Sequence, residues 1–567
     1  MSSGYFVMPE EITLFHPAGY LQAPEGQPFG KDVANVGLFS ALARHGGYRR
    51  INVLHRSGAG ASELGQQFFP PHQPQGVLAT GGLWDTDLAQ RSGMLLRGAA
   101  ALSELAWLRR TAAADAAYSL VGLIHTIAPP FIRSQIAASA QAPVHPWDAV
   151  ICTSPSVQAA MQEMFAAQEA WMAERFGATR QPRPQLPLIP LGVDVPRLMQ
   201  QGADQAARAS LRSRLGLADD DLLVLWVGRL SYFEKAFPQV MIQAVHQAAE
   251  RSGRRMVLGL AGWFPGGEAD QQLYLEAAQQ LAPGLQVSIL NGGKPELLAQ
   301  TWAAADVFLS LVDNIQETFG LAPVEAMAAG LPVVVSDWDG YRYTVRDGEE
   351  GFLVPTLGSP GGAPGELLAH LHSLELETYQ TYVGAVAQHT AVHVNRAADA
   401  LVALAESPEL RARMGAAGQA RAQALFDWPV VVSQYNDLFA ELAERRGQAL
   451  QASSVAGGAR IQPSRGDPFA DFRGFATSVL EPDLVLRLAP GVVPADLEAR
   501  LGVKLNRLYS GLRGSNAEAL ALLQALDAAG GAGLLVDQLL AAVAADRRPY
   551  LETTLVWLAK QGLVDWL

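Results

Sequence analysis

Short apolar runs without polar alternation recur along most of this chain, separated by longer stretches of helical character. Residues 12–15, 51–54, 120–124 and 149–153 read as strands, and 222–227, 256–261, 287–290, 304–311, 331–335 and 351–354 repeat the pattern further on. A strand with one wet face alternates with a period of two, so unalternating runs such as LLVLWV and LPVVV predict sheets covered on both faces. Strands alternating with helices predict a doubly wound α/β architecture. Residues 1–195 form one such domain, with a long loop holding Gly26, Pro28, Phe29, Gly30 and Lys31 ahead of a helix over 32–44. Residues 196–445 form a second. The stretch 92–117, rich in Ala and Leu, reads as a long helix packed on the sheet with the charges of Arg109 and Arg110 in water, or as an amphipathic surface for a membrane. Residues 58–82 give no readable element. Small polar residues over 446–468 predict a linker. Residues 469–567 read as a mainly helical, winged-helix-like module whose last helix stops at Gly562.

The most informative stretch runs from Asn314 to Val335, with the grammar loop, helix, strand. Pro323 is tolerated in a first helical turn and Gly330 is a natural stop. Glu317 in the loop and Glu325 in the helix then bracket a helix start. The amides of Phe319, Gly320 and Leu321 would face a ligand there, where the helix dipole favours phosphate. Elsewhere, Arg229 and Lys235 follow the strand at 222–227 and suit a diphosphate, the guanidinium through forked hydrogen bonds and the ammonium as a point charge. Gly30 precedes a helix start, a second phosphate-capable arrangement. His125 closes the strand at 120–124, where side chains of an open α/β sheet point into the ligand crevice. Taken singly, each has an ordinary reading: a solvated Glu, a surface cation, a connecting loop, a satisfied core histidine. Asp85-Thr86-Asp87, Asp219-Asp220-Asp221 and Asp337-Trp338-Asp339 match an Asp-x-Asp metal motif, but carboxylates are common in turns, and no metal is expected.

Together, ETFGLAPVEAMAAGLPVVVSD with Gly228-Arg229-Leu230 and Lys235 closely resembles the signature of the retaining glycosyltransferases of family four (glycosyl transferases group 1). The 408–414 and 426–435 stretches resemble that family's closing helices, the last of which crosses back to the first domain, and Leu191-Gly192-Val193-Asp194 its hinge. The resemblance implies a GT-B fold: two Rossmann-like domains facing a cleft, the first on the acceptor side, the second holding the nucleotide sugar. It implies Glu317 and His125 beside the donor sugar, Glu325 on the ribose, and Arg229, Lys235, Gly30 and the amides of Phe319, Gly320 and Leu321 near the diphosphate. Two departures stand out: GQPFGKD is not the usual paired-glycine loop, and Ala236 replaces the glycine expected after Lys235.

Composition narrows the partners. The net charge of −13 argues against general nucleic-acid binding, and residues from 467 onward carry twelve Asp and Glu against nine Lys and Arg, with no basic stripe. Cys152 is the only cysteine, which excludes an intramolecular disulfide framework and predicts a cytoplasmic setting. No apolar run reaches membrane-spanning length, and the N-terminal residues lack the pattern of a signal peptide. The expectation is therefore a cytoplasmic retaining, metal-independent glycosyltransferase. It needs no cofactor beyond a nucleotide-sugar substrate, UDP- or GDP-linked, and its acceptor is a glycan, a lipid or a protein. Peripheral membrane contact fits the helical stretch, and a protein partner fits the tail. The rival readings are a phosphorylase or disaccharide synthase using the same cleft, and a non-catalytic scaffold of the same fold.

Overall fold

The computed structural model describes residues 10–16, 30–55, 60–68, 76–180, 182–452 and 460–567. The loop carrying Gly26, Pro28 and Phe29 lies outside them. The chain separates into two compact units, Met1–Gln462 and Pro463–Leu567.

The first unit holds two six-stranded sheets. One comprises β1 (Glu11–His16), β2 (Arg50–His55), β3 (Val77–Gly81), β4 (Met94–Arg97), β5 (Ser119–Leu123) and β6 (Ala149–Ile151), in the order β3-β2-β1-β4-β5-β6. The other comprises β7 (Leu222–Val227), β8 (Met256–Gly262), β9 (Gln286–Asn291), β10 (Val307–Ser310), β11 (Val333–Ser336) and β12 (Gly351–Val354), in the order β12-β11-β10-β7-β8-β9. All pairings in both sheets are parallel. Counted from its own first strand, each sheet has the order 3-2-1-4-5-6. The order therefore reverses between β1 and β4 in one sheet, and between β7 and β10 in the other. Ligands of open α/β sheets bind outside the carboxyl ends of the strands at such a reversal.

The unalternating strands are buried throughout, as expected of sheets covered on both faces: β5, β8, β10 and β11 have no exposed residue. The helix Trp428–Gln451 ties the two halves together. The Trp428 ring packs on Gly37 and Gly192, Asn436 accepts from Tyr48 Oη, and Arg446 donates to Ser119 Oγ at 2.7 Å. This helix runs into the stretch read as linker. A further pair, β13 (Thr356–Gly358) and β14 (Thr390–Val392), is antiparallel and brackets two helices, Ala363–Ser373 and Tyr379–Gln388.

Two expectations for the first domain fail. The stretch 92–117 is not one helix, because its MLLR run forms β4 at the middle of the sheet and only Ser103–Ala112 is helical. Gly93, at φ 71°, ends the preceding helix, so leucine's helix propensity yields there to burial between β1 and β5. Nor are both charges in water. Arg109 is fully buried and holds Asp148 through two bonds of 2.7 and 2.8 Å, and it donates to the carbonyls of Tyr118 and Pro143. Asp148 also accepts from the amides of Leu120 and His145, so the pair staples β5 to the turn before β6. The stretch 58–82, left unread, supplies a helix, Ala61–Phe68, and the edge strand β3.

The second unit is helical around a small antiparallel sheet. Strand β15 (Val485–Leu488) lies between β16 (Leu534–Leu535) and β17 (Val564–Trp566). Helix Asn516–Ala529 starts on a Ser515–Glu518 capping box, and helix Arg548–Lys560 is followed by Gly562 at φ 70°. Leu486, Leu523, Leu526, Leu555 and Leu558 fill its core.

Candidate functional site

At the reversal in the second sheet, the loop after β10 and the loop after β7 meet. The β10 loop delivers Glu317 just before helix Leu321–Ala328; the β7 loop delivers Arg229 and Lys235. Lys235 Nζ lies 3.4 Å from Glu317 Oε2. Arg229 pairs with Glu234 in a mostly buried contact. Both cations therefore sit at the crevice, each against a carboxylate.

The helix start is occupied differently from the expectation. Glu317 Oε1 accepts from the amides of Thr318 at 3.2 Å, Phe319 at 3.4 Å and Gly320 at 3.1 Å. The amides of Phe319 and Gly320, expected to be open to phosphate, thus hold a carboxylate of the same chain. The physical reason is that a short loop lets Glu317 fold back onto the positive end of the helix, where an anion is favoured. No side chain caps the helix from its N-cap position, Gly320, so Leu321 starts the helix beyond the Glu317 nest. Gly320 is required twice over. Its φ is 90°, and a Cβ there would stand 2.1 Å from the Tyr341 ring. The Phe319 side chain is buried edge-on against Phe426, leaving only its backbone at the site.

Burial works to raise the Glu317 pKa, but Lys235 and the amides of Thr318 and Phe319 outweigh it and hold the carboxyl below its usual range. Glu325, one turn into the helix, has the opposite balance: burial raises it, and only Arg197 opposes. The surroundings thus favour the anion at Glu317 and disfavour it at Glu325. Such divergent pairs mark functional sites.

The first sheet supplies the facing edge. Gly30 is the first residue of helix Gly30–His45, after β1, and a Cβ there would meet nothing within 4 Å. His125 follows β5. Its Nε2 lies 2.8 Å from Asn35 Oδ1 and 3.2 Å from the Gly98 carbonyl. A carbonyl can only accept, so Nε2 carries the proton and Nδ1 keeps its lone pair. Burial pushes the imidazole down to about 4, and Lys31 pushes the same way, so the ring is neutral at pH 7. Thr318 Oγ1 donates to the His125 carbonyl at 2.9 Å, which brings the Glu317 loop against the His125 strand end.

Residues assigned no part in the site from the sequence complete the cleft. Ser154 caps helix Pro155–Phe176, and it also donates to Asp339 Oδ1 at 2.8 Å across the cleft. Asp339 has φ 39°, and burial raises its carboxyl to about 7, with Glu317 adding to the rise. Tyr379 donates to Gln316 Oε1 at 2.9 Å. The Asp-x-Asp carboxylates have other partners: Asp221 holds Arg255, Asp337 holds Arg342, and Asp85 accepts from the Gly82 amide. Among the described residues no cluster of three or more His, Cys, Asp or Glu could hold a metal ion, and no helix is long and apolar enough to cross a membrane.

Among known structures, the chain is similar to an Anabaena protein, Alr3699/HepE, crystallised in complex with UDP. It is 18% identical, covers 76% of this chain and 99% of its own, and superposes with a TM-score of 0.50. The chain has the GT-B fold. Residues 207–360, which contain Arg229, Lys235, Glu317 and Glu325, match the family model described as Glycosyl transferases group 1. Curated proteins named D-inositol 3-phosphate glycosyltransferase also match. The one from Nocardia farcinica is 33% identical over 185 residues, which is 32% of this chain and 38% of that protein. The one from Streptomyces griseus is 31% identical over 275 residues, 46% of this chain and 49% of that protein. The chain thus spans half or less of the length of these relatives.

Proposed function

We propose that this GT-B protein is a glycosyltransferase that moves a sugar from a nucleoside diphosphate to a hydroxyl acceptor with retention of anomeric configuration. The observation that carries this reading is the convergence of Lys235, Arg229, Glu317 and the start of helix Leu321–Ala328 at the sheet's reversal point. The group 1 match over 207–360 and the relatives' names support it.

In the transfer, the bond from the anomeric carbon to the diphosphate oxygen breaks, and its electron pair leaves with the nucleoside diphosphate. The acceptor oxygen bonds to the same carbon from the same face, and its proton passes to the departing diphosphate. Charge accumulates on the leaving group, so preorganised cations and amide dipoles lower the barrier most. Lys235 and Arg229 supply that charge on exchanging their carboxylates for the diphosphate, and Leu321 adds its helix-start amide. Glu325 takes the ribose hydroxyls. Glu317, held by three amides, orients the sugar; an anion so hydrogen-bonded is a poor nucleophile. The Nδ1 lone pair of neutral His125 accepts from a sugar hydroxyl. Metal is not assigned a role, because the two cations already face the leaving group.

The test is a screen of UDP-, GDP-, ADP- and TDP-sugars for release of the nucleoside diphosphate, with the product's anomeric configuration read by NMR. Turnover of one donor, with retention, supports the proposal. Inversion contradicts its mechanism, and a folded protein that turns over and binds none contradicts the activity.

A further inference from the structure

Beside the donor corner lies a cavity of about 430 Å³ that the transfer chemistry above does not use. That is within the range of small-molecule sites. One wall comes from the first domain, through Ile127, Pro129 and Val157. The other comes from Trp338 and Asp339 of the second, with Tyr382 and Ala369 contributed by the helices Ala363–Ser373 and Tyr379–Gln388. These two helices are tied to the donor loops: Tyr379 reaches Gln316, and Gly384 packs so closely on Phe233 that a Cβ would stand 3.1 Å away. They also lie beyond the stretch 207–360 matched by the group 1 family model.

The lining has a definite chemistry. Its walls are aliphatic and aromatic. Its inner carboxyl is Asp339, held by Ser154 in a backbone conformation (φ 39°) that only Asn, Asp and Gly adopt readily. Two exposed arginines, Arg133 and Arg342, stand at the rim, Arg342 also holding Asp337. Asp339 also lies near enough to Glu317 for that carboxyl to add to its pKa rise.

We propose that this cavity is the acceptor subsite, shaped for a hydroxyl compound with an apolar or aromatic body and an anionic end. The hydroxyl donates to Asp339, the body lies between Trp338, Tyr382 and Val157, and the anion sits at Arg133 and Arg342. This rests on the donor assignment above. A polyol phosphate offers the same anion but no apolar body, and the walls would leave its hydroxyls unpaired.

The test compares two charge-bearing probes on the full-length protein, 4-hydroxyphenylacetate and glucitol 6-phosphate, by calorimetry with and without the nucleoside diphosphate that binds best. The phenol is expected to bind at least ~10-fold tighter than the polyol phosphate. Ala160→Trp, which fills the cavity from helix Pro155–Phe176, should weaken the phenol at least ~10-fold while nucleotide affinity stays within about 2-fold. Asp339→Asn, which keeps the shape, should weaken the phenol and leave a non-hydroxylated phenylacetate unchanged. Equal affinity for both probes, or no response to Ala160→Trp, overturns the subsite while sparing the donor reading. Phenol selectivity in a protein that binds no nucleoside diphosphate overturns the donor reading and the acceptor role with it.

Discussion

At the reversal of the second sheet stand Arg229, Lys235 and Glu317; at the reversal of the first stand Asn35, Gly98 and, one strand over, His125. The two sheets share one strand order, and both open their crevice at the same topological place. Their edges are nonetheless chemically unlike. The second presents formal charges arranged as ion pairs. The first presents backbone carbonyls, an amide and an imidazole that burial keeps neutral. A leaving diphosphate needs charge, whereas a sugar ring needs neutral hydrogen-bonding groups that do not compete for that charge. The fold provides the place, and the edge residues divide the labour.

If that division is right, the charged edge should give the largest losses. Lys235→Ala should lower transfer by ~10²–10³-fold and weaken nucleoside diphosphate binding, the wild-type affinity falling with added salt and the variant's falling less. Steady-state kinetics and titrations at two ionic strengths check both. Nearly as large, but on stability, Arg109→Ala should cost ~3–5 kcal/mol by leaving Asp148 buried without its cation. Denaturant unfolding reads that loss directly.

The neutral edge should respond more mildly and in a different parameter. His125→Ala is expected to reduce transfer ~10–100-fold with nucleotide affinity nearly unchanged. Because the wild-type imidazole is already deprotonated above about pH 4, the rate should show no inflection near 6.5 that the variant removes. A pH–rate profile with such an inflection would break the comparison.

The smallest effect concerns Asp313, at the floor of the charged edge, whose carboxyl burial raises to about 8. Its folded pKa exceeds the unfolded value of 3.8, so the folded state binds the extra proton. Stability is then greatest below about pH 4 for this group and is lost as pH rises towards 8. Asp313→Asn should flatten that decline by at least about 2 °C between pH 5 and 8, read from melting curves.

The same contrast governs what the chain disclosed before its structure. Fully covered parallel strands print as β-branched runs, so ten of the twelve main-sheet strands were legible. The MLLR of β4 was not, since leucine and methionine favour helices. Edge strand β3 was lost for a related reason: an exposed Val77 and four half-covered residues between polar stretches carry little periodicity. Charged site residues were legible because their types are rare at strand ends. Ser154 and Asp339 were not, because capping and turns explain such residues locally and only tertiary contact joins them across the cleft; Asn35 lies inside helix Gly30–His45, and only tertiary contact sets it against His125. The fold-back of Glu317 onto its own helix start was hidden as well: spacing gives proximity to the amides but not which anion takes them.

The most direct test is a calorimetric titration of UDP, GDP, ADP and TDP into the wild-type protein and into Lys235→Ala and Glu325→Ala. One nucleotide should bind the wild type, and each variant should weaken it at least ~10-fold without a change in fold. Equal affinity in all three proteins, or no binding of any nucleotide to a folded wild type, would contradict the assignment of this cleft.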